Sequence, residues 1–201
     1  MTTADTGHDD RIGQARRSFT GKSLTDSQFA ESWSLAGVME RSIRTSGSFH
    51  EKLTDYSHAF ARAEKFDAMK GETIIRDIFR ARYGVTMNQM REGFLQRETE
   101  VKETGREQAL TQARSIEKLI SEGETMPFYR AYDQASVDLA RNLGITQAAA
   151  KTMMKDAYRD IEHRELYETG KALEDRHHRP KIEAEQARRE EARDRPRGRG
   201  R

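Results

Sequence analysis

The sequence predicts an all-α protein, a multi-helix bundle of about six to eight helices with a disordered N-terminus and a charged, arginine-rich C-terminal tail. Proline is nearly absent, and no stretch keeps the apolar–polar alternation of a half-buried strand. Apolar residues instead recur every three or four positions, the spacing of one helix face. Over Asp26–Arg44 this stripe is Phe29, Trp33, Ala36, Met39 and Ile43.

Large apolar side chains are scarce and concentrated in the middle of the chain. Of the 32 Leu, Ile, Val and Phe residues among 201, 27 lie between Asp26 and Tyr167. The middle can therefore build a small core, whereas both ends are too polar to offset the entropy lost on ordering. The formal net charge is only +2, so the chain as a whole is neither strongly basic nor strongly acidic.

Local signals mark several helix ends. Ser48 with Glu51, and Thr86 with Gln89, have the spacing of capping boxes and predict two helix starts. Gly84 predicts the end of the helix that comes just before Thr86, because glycine accepts the left-handed conformation that follows a helix.

The second half of the chain contains further helix signals. Gly123 predicts a stop, and Pro127 predicts the start of a helix through Leu143, because proline suits a first turn. Another helix is predicted from Gln147 to about Ile161. Pro180 is expected to end the helical region, and Lys181–Asp194, charged but tolerant of helix, predicts a frayed or single helix in water.

These signals predict four parts. Residues 1–24 are expected to be a disordered segment, 25–124 a helical subdomain, 125–175 a second helical subdomain, and 176–201 a charged tail. No apolar run follows basic residues at the N-terminus, so we expect no Sec signal peptide. No run is long and apolar enough to predict membrane insertion.

The segment from Ser136 to Lys155 has a helix-turn-helix pattern. Ala140 is small where two helices would cross, and Gly144 supplies the turn. The positions expected to pack the two helices together are Leu139, Leu143, Ile145, Ala150 and Met153. The residues expected to contact DNA are Thr146, Gln147, Ala148, Lys151, Thr152 and Lys155.

The chemistry of this face permits two interpretations. Gln147 can pair with adenine, and Lys151 and Lys155 can neutralise phosphates. Any helix–helix corner with a glycine stop and a threonine cap also fits half of the pattern, so a structural corner remains an alternative to DNA binding. The segment carries only a small net positive charge, less than a surface that binds nucleic acid usually has.

The tail from Arg193 to Arg201 holds five arginines against one aspartate. Its glycines and proline oppose helix formation, so the guanidinium groups are expected to stay extended and solvated. Such a tail can bind phosphates, or it can dock on an acidic protein surface where arginine pairs with carboxylates. A solubilising end without a partner is the third alternative.

The arginines at the end of the chain have a spacing of R-x7-R-x-R-x-R, from Arg189 to Arg201. This spacing resembles the C-terminal transport signal of proteins carried by Agrobacterium-type type IV secretion systems. The family pattern continues with two residues and a glycine, beyond the last residue of this sequence. The resemblance assigns to the signal Arg189, Arg193, Arg195, Arg197, Arg199 and Arg201.

The resemblance implies a partner and a location. The tail would be recognised by an acidic surface of the coupling ATPase at the channel entrance. The protein would reside in the bacterial cytoplasm and be translocated into a recipient cell, as an effector or as a relaxosome accessory protein of plasmid conjugation. A thin core would ease unfolding for passage through a channel.

No pattern of catalytic or cofactor chemistry is present. The six histidines form no H-E-x-x-H or H-x-x-E-H motif, and no phosphate-binding or dinucleotide-binding glycine loop occurs. The chain has no cysteine, which excludes thiolate metal sites. We therefore predict a protein that is no enzyme, with no cofactor and no metal.

Three functions remain open at this point. The first is a conjugation or type IV secretion protein, supported by the tail. The second is a helix-turn-helix regulator that binds DNA. The third is a helical adaptor, or a protein similar to an antitoxin, that binds a host or partner protein.

Overall fold

The computed structural model describes residues 24–122, 126–177 and 179–194. Within these ranges the chain is helical and contains no strand, so the all-α prediction is confirmed. The expectation of disorder for the N-terminal segment falls on residues outside these ranges, except Leu24, which packs partly against the core. In chain order the helices are α1 (Asp26–Ser46), α2 (His50–Glu64), α3 (Ala68–Tyr83), α4 (Met87–Val101), α5 (Arg106–Ser121), α6 (Phe128–Leu143), α7 (Gln147–Glu162), α8 (Leu166–His177) and α9 (Arg179–Asp194).

The chain divides into two compact units. The first extends to Glu100 and includes Gly144–Ala148, and the second comprises Val101–Leu143 and the residues from Ala149 onward. We expected the boundary near residue 124, but the structure places it at the end of α4. The reason is that α5 packs against α6 and α8, so residues on both sides of position 124 belong to one core.

The core of the first unit lies between α1, α2 and α3. Gly71 on α3 allows a close approach to α2, because a Cβ at this position would lie 2.8 Å from the carbonyl oxygen of Ser57. The buried side chains of this core are Phe29, Ala36, Met39, Ile43, Phe49, Leu53, Phe60, Ile74, Ile75, Ile78, Phe79 and Met87.

An arginine on α3 connects the two longest helices of the first unit. The Nη1 atom of Arg82 donates to the backbone carbonyl oxygen of Trp33 at 2.7 Å. Its guanidinium carbon lies 4.9 Å from the centroid of the Trp33 ring. Hydrogen bonding and cation–π attraction thus hold the same side chain, which fixes the register between α1 and α3.

The two predicted capping boxes have different outcomes. The box at α4 is confirmed, because the backbone N–H of Gln89 donates to Thr86 Oγ1 at 3.2 Å and that of Thr86 donates to Gln89 Oε1 at 2.9 Å. The box of Ser48 with Glu51 is wrong. Phe49 takes the N-cap position of α2 without a side-chain cap, because its ring is buried in the core.

The core of the second unit lies between α5, α6 and α8, and α7 contributes further buried side chains. The Cβ of a residue at position 170 would lie 2.1 Å from the Phe128 ring, so only glycine fits there. The buried Tyr158 donates its hydroxyl to Glu117 Oε2 at 2.8 Å. Burial first, and this hydrogen bond second, raise the pKa of Tyr158 above its ordinary value of 10.0.

The last helix differs from the other helices in its exposure. Every described side chain of α9, from Arg179 to Glu190, is exposed, as the prediction of a single helix in water requires. We expected Pro180 to end the helical region, but it lies in the first turn of α9. The backbone N–H groups of a helix's first turn have no intrahelical acceptor. Proline, which lacks this N–H, therefore costs no hydrogen bond there.

Candidate functional site

Thr146, the first residue of the predicted DNA-contacting set, is buried and is hydrogen-bonded to another residue of the protein. Only 3% of it is exposed. Its Oγ1 atom donates to Glu98 Oε1 at 2.6 Å, and its backbone N–H reaches the same oxygen at 3.3 Å. A phosphate at this position would have to replace the Glu98 carboxylate, so Thr146 is better suited to holding the Gly144–Ala148 turn within the first unit.

The other predicted residues lie along the outward side of α7. Ala148, Thr152 and Lys155 are exposed, and Gln147 and Lys151 are half-buried. Their spacing of three and four residues places them on neighbouring turns. The structure therefore brings these residues together on one accessible strip, and whether the strip contacts DNA stays a prediction.

Most of the positions predicted to pack the two helices of the helix-turn-helix together are buried. Leu139, Leu143, Ile145 and Ala150 are buried, and Ala140 and Met153 are half-buried. Gly144 adopts a left-handed conformation with φ of 70°, the value that its role as a turn requires. The turn at Gly144 thus follows the sequence pattern, and the packing of the two helices on each other stays a prediction.

The cations along α7 are mostly neutralised by nearby carboxylates. Lys151 pairs with Asp133 at 2.5 Å, and its ammonium lies 5.6 Å from the Tyr132 ring centroid. Arg159 pairs with Asp156 at 2.9 Å. Lys155 is exposed and has no ion-pair partner among the described residues. The strip therefore offers phosphates only a weak positive field.

The second unit also contains an aromatic cleft that was not among the sites predicted from the sequence. The cleft has a volume of about 470 Å³ and is lined by Phe128, Tyr132, Lys155, Glu165, Leu166, Tyr167 and Glu168. At its edge the hydroxyls of Tyr129 and Tyr167 lie 2.5 Å apart. The sequence signal was the aromatic run at the start of α6, with Phe128, Tyr129 and Tyr132 on neighbouring turns.

The phenols of this cleft are donors rather than bases. The hydrogen bond with Tyr129 raises the pKa of Tyr167, and burial together with the Asp133 charge raises the pKa of Tyr132. Tyr132 donates its hydroxyl to the backbone carbonyl of Lys151 at 3.1 Å. At neutral pH these phenols therefore remain protonated, and because Tyr132 already donates its one hydroxyl hydrogen to Lys151, only its oxygen can accept a hydrogen bond from a bound group.

The predicted transport signal begins on α9. Arg189 is exposed, and its guanidinium pairs with Glu185 one turn earlier at 2.5 Å. Arg193 belongs to the last turn of the same helix. The remaining arginines of the signal lie outside the described residues and are Arg195, Arg197, Arg199 and Arg201.

The described residues contain neither a cluster of metal-ligating side chains nor a helix that could cross a membrane. No group of three or more His, Asp or Glu side chains is arranged there to hold a metal ion. Across the same ranges, no helix has the length and apolar character needed to cross a membrane.

Comparisons of the chain with protein-family models, curated proteins and solved structures gave no match.

Proposed function

We propose that this chain is a non-enzymatic protein of conjugative DNA transfer or type IV secretion, delivered through its arginine-rich C-terminal end. The observation that supports the proposal is the exposure of the residue with which the predicted signal begins. This residue is Arg189 on α9, a helix whose described side chains are all exposed. Four arginines and no acidic residue follow between positions 195 and 201.

The chemistry of this end favours an acidic protein partner. Guanidinium groups form paired hydrogen bonds with carboxylates, and the planar fork gives such contacts a preferred geometry. The acidic surface of a coupling ATPase would supply these carboxylates. Because the contacts are solvent-exposed, recognition should weaken as salt concentration rises.

A translocation assay tests this proposal. The full chain is fused to a site-specific recombinase and expressed in a donor that carries an Agrobacterium-type secretion system, and recombined recipient cells are counted. Changing Arg195, Arg197, Arg199 and Arg201 to alanine should lower transfer by about tenfold or more, which corresponds to about 1.4 kcal/mol of lost binding.

The matched control for this assay keeps the charge of the tail. Gly198→Ala with Gly200→Ala alters two residues of the same segment and should leave transfer near the level of the unmodified chain. Changing the same four arginines to lysine retains the charge but removes the fork, and an intermediate loss is expected. Unchanged transfer by the alanine variant would refute the proposal.

A second candidate function is DNA binding through α7. The accessible strip that contains Ala148, Thr152 and Lys155 supports it. In a duplex-binding assay, Lys155→Ala should weaken binding if the strip meets phosphates, whereas Lys52→Ala on α2 is an exposed control with the same charge change. Binding that disappears only on removal of the tail would assign the α7 corner a structural role.

A further inference from the structure

Three aromatic rings of the second unit form a fixed cluster. The ring centroid of Phe128 lies 5.7 Å from that of Tyr132, in a stacked arrangement, and 5.7 Å from that of Tyr167, in an edge-on arrangement. Phe128 is fully buried, and α8 packs against its ring at Gly170. Because the core holds Phe128, the two tyrosine rings that contact it form a surface that is preorganised for a ligand.

These tyrosines line the aromatic cleft, whose volume of about 470 Å³ suits a small organic molecule. Tyr132 is half-buried and Tyr167 is 46% exposed, so both can be reached from solvent. Leu166 adds an aliphatic side chain to the lining. The lining therefore favours a ligand that itself carries apolar surface.

Two carboxylates belong to the same lining and are available to a ligand. Glu165 is half-buried immediately before α8, and Glu168 is exposed in the first turn of that helix. Neither side chain has a hydrogen-bond or ion-pair partner among the described residues. Of the residues that line the cleft, only Lys155 is basic, and it pairs with neither glutamate. Two acidic residues against one basic residue give the lining a formal charge of −1 at neutral pH.

Tyr132 offers a ligand an acceptor oxygen rather than a ring face. Its ring is stacked on Phe128, and the ammonium group of Lys151 lies 5.6 Å from its ring centroid. Its hydroxyl hydrogen is donated to the backbone carbonyl of Lys151, so the oxygen can only accept. Ionised carboxylates also only accept. A ligand with positively charged N–H donors therefore matches these groups, whereas the carboxylates would repel a phosphate.

An ammonium group of the chain itself is held in this manner at the edge of the cleft. The Nζ atom of Lys171 lies 4.9 Å from the Tyr129 ring centroid and 3.1 Å from Glu174 Oε2. Tyr129 in turn contacts Tyr167, and their hydroxyls are 2.5 Å apart. A phenol ring and a carboxylate thus hold one ammonium group on α8. The neighbouring cleft contains the same two kinds of group, and its carboxylates have no ammonium partner among the described residues.

We propose that this cleft binds a small alkylammonium ligand, such as a polyamine, with its ammonium groups at Glu165 and Glu168 and its aliphatic chain along the apolar lining. The Tyr167 ring adds cation–π attraction. All residues of the site lie in the second unit and none belongs to the predicted transport signal, so the site does not depend on the proposed secretion function. Because the carboxylates are open to solvent, affinity should fall as salt concentration rises.

Titration calorimetry on the full chain at low salt tests the charge of the ligand. Spermidine is the probe, and linear octanediol, an uncharged chain of similar length, is its control. We expect saturable binding of spermidine and no measurable binding of the diol, since only an ammonium group can form an ion pair with a carboxylate. Equal binding of the two compounds, or no saturable binding of spermidine, would overturn the proposal.

Removal of one carboxylate locates the binding site. Glu168→Gln should lower the affinity for spermidine about twofold to fivefold, the range expected for an exposed ion pair. Glu107→Gln is the matched control, because Glu107 is also an exposed carboxylate in a first turn, on α5, and the change in net charge is the same. Circular dichroism of both variants checks that the helices are intact. Equal losses of affinity would show that spermidine responds only to overall charge, and the cleft would be refuted as its site.

The sign of a third substitution distinguishes a cation from a nucleic acid. Lys155→Ala removes the only basic residue of the lining, so it should raise the affinity for spermidine about twofold. A nucleic acid would show the opposite signs, because Lys155 attracts its phosphates and Glu168 repels them. If Lys155→Ala weakens and Glu168→Gln strengthens the binding of a short thymidine oligonucleotide, while neither changes the binding of spermidine, the cleft is an anion site and the proposal is wrong.

Discussion

The carboxylate of Glu98 accepts two hydrogen bonds from Thr146, one from Oγ1 at 2.6 Å and one from the backbone N–H at 3.3 Å. These residues are 48 positions apart in the sequence. The contact joins α4 to the turn at Gly144–Ala148, and it explains why those five residues belong to the first unit. It also assigns Thr146 a structural role that competes with the predicted contact to a phosphate.

Glu98→Ala should destabilise the protein. Thr146 would lose its carboxylate acceptor while its hydroxyl stays buried, and a buried donor without that partner costs about 1 to 3 kcal/mol. Urea unfolding of the full chain measures the loss. Glu100→Ala, on the exposed side of the same helix, is the matched control and should change stability by less than about 0.5 kcal/mol. Equal effects of the two variants would contradict a specific role for Glu98.

Two glycines on helices should respond to alanine in opposite directions. Gly93 on α4 has open space around the position of a Cβ, so Gly93→Ala should stabilise the protein by about 0.5 to 1 kcal/mol through helix propensity. At Gly170 the new Cβ would overlap the Phe128 ring, so Gly170→Ala should destabilise by about 1 to 3 kcal/mol or more. Thermal unfolding of both variants checks the signs.

The parts of the fold that depend on short stretches of sequence could be predicted. Gly84 adopts φ of 76° after α3, and Thr86 with Gln89 caps α4, because both signals act over three or four residues. The Ser48 box failed because burial of Phe49 outweighs a cap on the surface. Contacts between distant residues, such as Glu98 with Thr146, have no local signature, so the unit boundary could not be predicted. The aromatic run at the start of α6 was a local signal for the cleft, but the residues from α8 that complete its lining were not predictable from it.

Stability should fall at alkaline pH through Tyr158. The folded-state pKa of this phenol is raised by burial and by its hydrogen bond to Glu117, whereas in the unfolded chain it ionises near 10. The stabilising contribution is therefore fully present below about pH 10 and is lost as the pH rises through the folded-state pKa.

Tyr158→Phe provides the measurement. At about pH 8 this variant should be less stable than the unmodified chain by about 1 kcal/mol, and the difference should shrink above about pH 10. Tyr56→Phe, at an exposed position on α2, should show no such trend. A difference for Tyr158→Phe that stays constant to about pH 11 would contradict the assigned pKa shift.

The Glu185–Arg189 pair on α9 should act as an internal competitor for the tail's partner. An external carboxylate can bind Arg189 only by displacing Glu185, which lies 2.5 Å away. An exposed pair at this spacing is worth about 0.3 to 0.5 kcal/mol, so Glu185→Ala should raise binding to an acidic polypeptide about twofold. Poly-L-glutamate at low salt is a suitable probe, and circular dichroism would report the accompanying small loss of helix.

The matched control for this variant is Glu183→Ala. It makes the same change in net charge on the same helix, but its partner Arg179 lies outside the predicted signal. If binding of poly-L-glutamate rises equally for both variants, overall charge explains the gain and Arg189 has no special part. A larger gain for Glu185→Ala, abolished when Arg189→Ala is added, would place Arg189 in the surface that the acidic partner contacts.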